Sequence, residues 1–275
     1  VRGIGVKEKC FELIKECLNP WRYQILLLLS KRKYKFSEMV KELNAPKSTI
    51  SRALSRLEEL EMVRKRGEVY EISSYGDLIL ATFENLVESF EFEEEIKKAE
   101  EFLKMLPPYL KHGFPLVLRF SEKFEFLDGV IRGLEDLSRV REYGLYIDRI
   151  INYDIYKLMV NLNLQGASEK VISSRDTLRD RLETIRQVLI DMDLSKKEMK
   201  IVRDKIEIKV YDTPLLLGVF DGEIVYFQYY HTYSPMFRSE NKEAVDWCES
   251  VFYYFWKRAS PVDVKGMIDE LIAEI

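Results

Sequence analysis

Apolar residues recur at helical spacing through the first part of the chain. This spacing predicts four helices, over residues 6–18, 21–29, 38–43 and 47–60. Ser37 can begin the third helix, and Asn44-Ala45-Pro46 separates it from the fourth. Two short β-like runs, residues 63–66 and 68–72, flank Gly67, which can adopt the positive φ of a tight turn. The predicted order is therefore helix, turn, helix and hairpin.

A longer helical pattern follows the hairpin, from Asp77 to Met105. It is apolar in its first half and strongly acidic from Glu91 to Glu101. Pro107-Pro108 ends it and marks the clearest domain boundary of the chain. We therefore expect an N-terminal domain over residues 1–76, a linking and dimerisation helix over residues 77–106, and a C-terminal domain over residues 107–275.

The pattern beyond Pro108 alternates between β-like and helical segments. Strands are predicted at residues 170–173, 206–211, 215–220 and 224–230. Helices are predicted at residues 176–192 and 240–256, and again after Pro261. Asp221-Gly222 indicates a hairpin between the last two strands. The expected fold class is α+β or α/β, with an N-terminal winged helix-turn-helix, a long linking helix and a mixed α/β C-terminal domain of the sensor type.

Composition narrows the class of protein. The chain has 275 residues, enough for two domains, and its 47% hydrophobic and 33% charged residues are typical of a globular protein. Three cysteines without a CxxC pair and only two histidines argue against a disulfide framework or a metal site, and we expect no cofactor. The longest apolar run, residues 25–29, is too short to span a membrane, and no signal peptide is visible. We expect a cytoplasmic protein.

Charge is distributed unevenly along the chain. Residues 31–72 contain eleven basic and seven acidic residues, whereas the whole chain has a net charge of −4. A local positive excess is what binding to nucleic-acid phosphates requires. The charge distribution therefore directs attention to the helix over residues 47–60 and to the hairpin after it.

The residue types on that helix fit recognition of double-stranded DNA. Its early positions outside the core are hydroxyl or basic residues: Lys47, Ser48, Thr49, Ser51, Arg52, Ser55 and Arg56. Arg can bridge two acceptors of guanine, and Ser or Thr adapts to base edges and phosphates. The later positions Glu58, Glu59 and Glu61 are acidic, so we expect the N-terminal half to enter the major groove. The hairpin would add a basic wing that contacts phosphate or the minor groove, with Arg64, Lys65 and Arg66.

Two alternatives stay open at this point. The polar helix face and the basic hairpin are also compatible with ordinary solvated surface. A winged helix can also serve protein interaction without binding DNA. The contiguous order of helix, turn, helix and basic hairpin favours DNA binding over both.

The segment STISRALSRLEELEMVRKRGEVYEISSYG resembles the ArsR/MarR type of winged helix. The resemblance rests on a Leu-spaced core and a Tyr-x-hydrophobic-Ser/Thr-x-x-Gly ending, at Leu54, Leu57, Leu60, Val63, Tyr70, Ile72 and Gly76. Two positions depart from that pattern. Pro46 stands where the family commonly places a Ser cap, and Glu61 stands where relatives often have Gly.

The C-terminal half resembles a domain of archaeal regulators of the methanogenesis-regulatory-protein type. The likeness rests on the run LLLGVFDG at residues 215–222 and the run WCESVFYYFWKRASP at residues 247–261. It implies a homodimeric transcription regulator whose second domain senses a ligand or a partner. An isologous dimer formed through the predicted linking helix would place two recognition helices about 34 Å apart, one turn of DNA.

Related archaeal regulator domains resemble the phospholipase D fold, which makes an enzyme a further alternative. That chemistry needs a His-x-Lys motif, because His is the nucleophile and Lys holds the phosphate. Neither His112 nor His231 has a Lys two residues later, and no GxSxG, Walker A or GxGxxG motif occurs. We therefore expect no enzymatic activity.

A candidate pocket for a small-molecule effector follows the last predicted strand. Its aromatic and basic residues suit a small anionic or planar ligand: Tyr229, His231, Tyr233 and Arg238. The alternative is a surface loop that packs against the helix over residues 240–256.

Overall fold

The computed structural model describes residues 11, 13–16, 19–229 and 234–274. The chain divides into two compact units, Val1–Glu91 and Phe92–Ile275, called unit 1 and unit 2 below. Residues 11 and 13–16 are helical, and the remainder of the helix predicted over residues 6–18 lies outside the described residues. His231 and Tyr233 of the candidate effector pocket also lie outside them.

Unit 1 is a winged helix-turn-helix followed by one longer helix. Its elements are α1 (Pro20–Lys31), β1 (Tyr34–Lys35), α2 (Phe36–Glu42), α3 (Lys47–Glu59), β2 (Val63–Arg66), β3 (Val69–Ile72) and α4 (Ser74–Glu91). The strands form a small antiparallel sheet in the order β1-β3-β2. The predicted helix-turn-helix and hairpin are thus confirmed in type and order. Ser37 does not begin α2, because the N-cap is Lys35, whose backbone N–H donates to Glu38 Oε2 at 2.7 Å.

The hairpin is joined to α4 by a tight junction that explains the Ser-x-x-Gly ending of the motif. Ser73 Oγ donates to the Glu61 carbonyl at 2.6 Å and accepts from the Gly76 N–H at 3.0 Å. A Cβ at Gly76 would lie 2.2 Å from the Met62 carbonyl oxygen, so only glycine allows this approach. Glu61 adopts φ +57°, a left-handed conformation that glycine would adopt with less strain.

The predicted linking helix is helical but not continuous. It consists of α4 and two short helices, α5 (Glu93–Lys98) and α6 (Glu100–Met105), separated at Phe92 and Ala99, where ψ is +23° and +7°. α4 belongs to unit 1, where Tyr23 and Phe83 make an edge-to-face ring contact at 5.4 Å. Phe102 of α6 is fully buried in the core of unit 2. The division between the two compact units falls between Glu91 and Phe92, within the predicted linking helix.

Unit 2 contains an eight-stranded mixed sheet with helices on both faces. Its remaining helices are α7 (Pro108–Lys111), α8 (Phe114–Arg119), α9 (Phe126–Leu137), α10 (Tyr153–Gln165), α11 (Leu178–Asp191), α12 (Lys196–Lys205), α13 (Lys242–Trp256) and α14 (Val264–Glu274). Its strands are β4 (Glu122–Phe124), β5 (Tyr143–Asp148), β6 (Ser168–Ser173), β7 (Ile206–Val210), β8 (Leu216–Phe220), β9 (Ile224–Gln228), β10 (Met236–Ser239) and β11 (Ser260–Pro261). This arrangement confirms the predicted mixed α/β class.

The sheet has the order β11-β7-β6-β5-β8-β9-β10-β4. β5, β6 and β7 are parallel, and β8 pairs antiparallel with β5, so the strand direction changes between β5 and β8. The predicted hairpin turn joins β8 to β9, with Asp221 at φ +51° and Gly222 at φ +66°. The three predicted strands from residue 206 onward are thus confirmed as β7, β8 and β9.

Two apolar cores lie on opposite faces of this sheet. One contains α13 and α8 against residues such as Leu217 and Phe227. The other contains α9 to α12 and α14 against residues such as Val171 and Tyr226. Cys248 is buried and free in the first core. Among the described residues, no helix combines the length and apolar content that crossing a membrane requires.

Candidate nucleic-acid interface

The helix α3 separates its residues cleanly into a buried and an exposed face. Ile50, Ala53, Leu54 and Leu57 are buried in the core of unit 1. Lys47, Ser48, Ser51, Arg52 and Ser55 are exposed, and Thr49 and Arg56 are half-buried. The hydroxyl and basic residues predicted to contact DNA therefore lie on the outer side of α3, as the helical spacing requires.

Pro46 does not prevent α3 from beginning at Lys47. The Pro46 carbonyl accepts from the Thr49 N–H at 2.9 Å and from the Ile50 N–H at 3.2 Å, while no side chain caps the helix. Its φ of −58° fits the entry to a helix. With proline at position 46, the first backbone N–H groups of α3 have no side-chain acceptor, and such a helix start can bind a phosphate.

The two arginines of α3 differ in their surroundings. Arg56 forms ion pairs with Glu59 at 2.9 Å and with Glu16 at 3.3 Å. Hydrogen bonds to those two carboxylates raise the pKa of Arg56. Arg52 is exposed, and its Nε donates only to the Ser48 carbonyl at 3.3 Å. Within the described part of the chain Arg52 has no acidic partner, so its guanidinium is available to a ligand while that of Arg56 is already engaged.

The three cations of the wing lie on two faces of the hairpin. Side chains alternate along β2, so Lys65 shares the face of the buried Val63, whereas Arg64 and Arg66 point to the other face. Arg66 pairs with Glu71 at 2.6 Å, and Lys33 pairs with the same carboxylate at 2.6 Å. The hydrogen bond from Lys33, with attraction from Arg66, lowers the pKa of Glu71.

Lys65 and α3 border a common cleft. The cleft has a volume of about 470 Å³, and its polar lining comes from α3 and the hairpin: Ser51, Ser55, Glu58, Lys65, Gly67 and Glu68. Lys65 Nζ lies 5.5 Å from the centre of the Tyr70 ring, and no carboxylate of the described residues pairs with it. The structure therefore places Lys65, and not Arg66, beside the exposed hydroxyls of α3.

The predicted set thus falls into two groups. The early part of α3 and Lys65 form one exposed surface, named here the α3–wing surface: Lys47, Ser48, Thr49, Ser51, Arg52, Ser55 and Lys65. Arg56 and Arg66 are held by carboxylates, and Arg64 lies on the far face of the hairpin. Sequence reasoning missed the Gly67 backbone at the cleft, although its position at the turn was the available signal.

Of the four residues of the candidate effector pocket, the structure describes Tyr229 and Arg238. Tyr229 is buried in the first core of unit 2, where its ring stacks on Phe237 with centres 5.4 Å apart. Arg238 extends from the opposite face of β10, where its Nε donates to Asp136 Oδ2 at 2.9 Å and to the Tyr226 hydroxyl at 3.0 Å. Phe237 and Arg238 are neighbours on β10, so their side chains point to opposite faces of the sheet. Tyr229 lies on the face of Phe237, and it therefore does not line a common pocket with Arg238.

Comparison with known families matches the first unit. The family model described as the HVO_A0261 N-terminal domain matches residues 18–95, which include the whole helix-turn-helix, the wing and α4. This portion of the chain is similar to that family. No curated protein matches the chain in sequence.

Three solved structures resemble the chain at low sequence identity. TrmBL2, described as an archaeal chromatin protein with a novel mode of DNA binding, has 16% sequence identity and a TM-score of 0.41, covering 93% of this chain and 100% of its own. NucT from Helicobacter pylori has 10% identity and a TM-score of 0.38, covering 52% of this chain and 98% of its own. The dimethyltransferase RosA from Streptomyces davawensis has 11% identity and a TM-score of 0.26, covering 75% of this chain and 65% of its own. Similarity at this level carries no functional inference.

Proposed function

We propose that this protein is a DNA-binding transcription regulator of the ArsR/MarR winged-helix type, with unit 2 as a sensing domain. The observation that carries the proposal is the α3–wing surface. It combines exposed hydroxyls with Lys47, Arg52 and Lys65, three cations that form no ion pair with a carboxylate of the described residues. Unpaired cations can release the counterions of DNA without first breaking an ion pair.

The geometry supports entry of α3 into the major groove by its N-terminal half. Lys47, Ser48 and Arg52 lie in the first turns, and the acidic Glu58 and Glu59 lie in the last. Arg52 would contact a base edge or a phosphate, while Lys65 would contact backbone phosphate beside the groove. Arg56 and Arg66 would contribute less, because binding DNA would compete with their existing carboxylate partners.

Two matched pairs of variants test this assignment. Binding to a non-specific duplex is measured by fluorescence anisotropy over a series of salt concentrations. Lys65→Ala should lower the slope of log affinity against log salt by about one, since each phosphate contact contributes about 0.9. Arg66→Ala should leave the slope nearly unchanged. Arg52→Ala should likewise weaken binding more than Arg56→Ala.

The same titrations discriminate between DNA binding and protein interaction. Equal effects of Lys65→Ala and Arg66→Ala would contradict the α3–wing surface as the contact. Absence of salt-dependent duplex binding would favour the use of the winged helix as a protein-interaction module. The proposal includes no catalysis in unit 2, because the sequence lacks the His-x-Lys motif of phospholipase D chemistry.

The exposed face of α4 supports assembly as a homodimer. Leu78, Leu86 and Phe90 recur at multiples of four residues and are 65%, 44% and 72% exposed. Residues four apart lie on one side of a helix, so the three form an apolar stripe. A second copy of the chain would cover this stripe in an isologous contact, and the two α3 helices could then engage successive major grooves about 34 Å apart.

A further inference from the structure

The second core of unit 2 contains an apolar slot at the point where the strand direction changes. The slot has a volume of about 110 Å³ and lies between α9, α10 and the strands β5, β8 and β9. It continues into a wider mouth of about 700 Å³ beyond the end of β5. The two spaces share five wall residues: Val130, Leu134, Ile150, Ile155 and Leu216. In open α/β sheets, ligands bind outside the carboxyl ends of the parallel strands where the strand order reverses, and the order reverses here between β5 and β8.

Two glycines border the slot: at Gly218 a Cβ would come within 3.1 Å of the Phe220 ring, so close packing favours glycine there, whereas Gly133 has room for a side chain. Gly133 is inside α9, and a Cβ there would lie at ordinary contact distance, 3.8 Å from the Tyr226 ring. Gly218 is inside β8 between Tyr146 and Tyr226, its neighbours in register. Neither has a positive φ. Glycine within a helix costs about 1 kcal/mol relative to alanine, and glycine within a strand often marks the close approach of a ligand.

The walls and floor of the slot are fixed and largely apolar. Tyr226 is held by its hydroxyl, which donates to Asp136 Oδ2 at 2.6 Å. The buried Arg181 forms the polar floor, where its Nη2 donates to the Asp148 carbonyl at 2.8 Å and its Nε donates to Ser173 Oγ at 3.0 Å. Because the Arg181 guanidinium and the Asp148 carboxylate satisfy each other at 3.3 Å, the floor offers little to a polar ligand. An apolar body fits this space.

The mouth of the slot favours a negative group. Arg149 is exposed there, and its Nη2 donates to the Thr213 carbonyl, but no carboxylate of the described residues forms an ion pair with it. Asp154 also lines the mouth, and its charge lies in the first turn of α10, where the helix dipole stabilises it. Arg149 is the one cation among the described residues that line the mouth, and Asp154 and the nearby Asp176 balance part of its charge.

We propose that this slot binds a small amphipathic acid, with its apolar chain or ring between α9 and the sheet and its anionic group at Arg149. The site differs from the residues predicted from sequence at Tyr229 and Arg238. It deepens the proposed sensing role of unit 2, on which its link to regulation rests. The test is performed without DNA, so failure of ligand binding is distinguishable from failure of the DNA interface.

The test uses octanoate and octanol as probes with the full chain, titrated by calorimetry. Gly133→Leu fills the slot from α9 and should weaken binding of both probes by at least about tenfold. Gly133→Ala adds only a methyl group at ordinary contact distance and should bind within about threefold of the parent. Both substitutions favour the helix, and their unfolding temperatures check that unit 2 remains folded.

The head group is tested by Arg149→Gln. This variant should bind octanoate about tenfold more weakly and octanol as the parent does, because only octanoate loses a charge-assisted contact. Binding of octanoate by Gly133→Leu at parental affinity would overturn the site. Failure of the parent to bind either probe, or equal affinity for octanoate and octanol in both the parent and Arg149→Gln, would overturn the ligand class.

Discussion

A buried carboxyl group in unit 2 makes the stability of the protein depend on pH near neutrality. Glu169 lies in β6 with 6% of its surface exposed, and burial raises its pKa to about 7, although attraction to Arg181 and a hydrogen bond with Asn163 oppose the rise. Glu169 Oε2 and Asn163 Oδ1 are buried acceptors with no donor among the described residues. A proton on Glu169 would supply one, which favours the neutral carboxyl group in the folded state.

Proton linkage sets the direction and size of the effect. The folded state binds the proton of Glu169 more tightly than the unfolded state does. In the unfolded state the carboxyl group has its ordinary pKa of 4.5. The contribution of Glu169 to stability is therefore complete below about pH 4.5 and is lost as the pH rises through about 7. A difference of about 2.5 between the two pKa values corresponds to a total of about 3 kcal/mol, of which about 2.5 kcal/mol falls between about pH 5 and pH 8.

The variant Glu169→Gln keeps the shape of the side chain and removes its titratable carboxyl group. Urea unfolding is followed by tryptophan fluorescence in a Trp21→Phe background, so that Trp247 and Trp256 report on unit 2 alone. Relative to this variant, the parent should lose about 2.5 kcal/mol of unfolding free energy between about pH 5 and pH 8. Glu207→Gln, an exposed site on the neighbouring strand β7, is the control and should follow the parent. Parallel pH profiles of Glu169→Gln and the parent would refute the reasoning.

Two further predictions concern unit 1. Gly76→Ala should lower the unfolding free energy of unit 1 by about 2–3 kcal/mol or more, because its Cβ would clash with the Met62 carbonyl. Gly67→Ala, with φ +62° and open space around it, should lower the same free energy by only about 1 kcal/mol. Urea denaturation that ranks the two variants in the reverse order would contradict the role given to Gly76 in the junction. For the proposed homodimer, Phe90→Glu should give a monomer in light scattering, whereas Tyr109→Glu, an equally exposed aromatic site at 71%, should not. A Phe90→Glu protein that is still dimeric would exclude the α4 stripe as the contact.

The winged helix could be predicted because its signals are local. The spacing of Ile50, Leu54 and Leu57 sets the buried face of α3, and the glycine at Gly67 sets the turn, so residues close in sequence define both. Which basic residues are paired with carboxylates and which are unpaired could not be predicted in this way. Arg56 is engaged by Glu16, forty residues earlier in the chain, and the spacing of charges does not reveal such a long-range pair.

The linking helix shows a different limit of sequence reasoning. Its pattern favours helix throughout, and each of its three pieces is helical. The interruptions at Phe92 and Ala99 arise because Phe102 must reach the core of unit 2, while Leu80 must reach the core of unit 1. A single straight helix is what local propensity predicts, and tertiary packing decides where it breaks.

Strand alternation separates Tyr229 from Arg238, two of the four residues predicted to line an effector pocket. Phe227 and Phe237 face one core while Tyr226 and Met236 face the other, so the residues around position 230 are shared between two faces of one sheet. Gly133 and Gly218 are sequence signals for the proposed slot, since glycine inside a helix or strand is unfavourable, although Gly218 also leaves room for the Phe220 ring. Their meaning required the structure, because β8 and α9 are far apart in sequence and only folding brings the two glycines to the same slot.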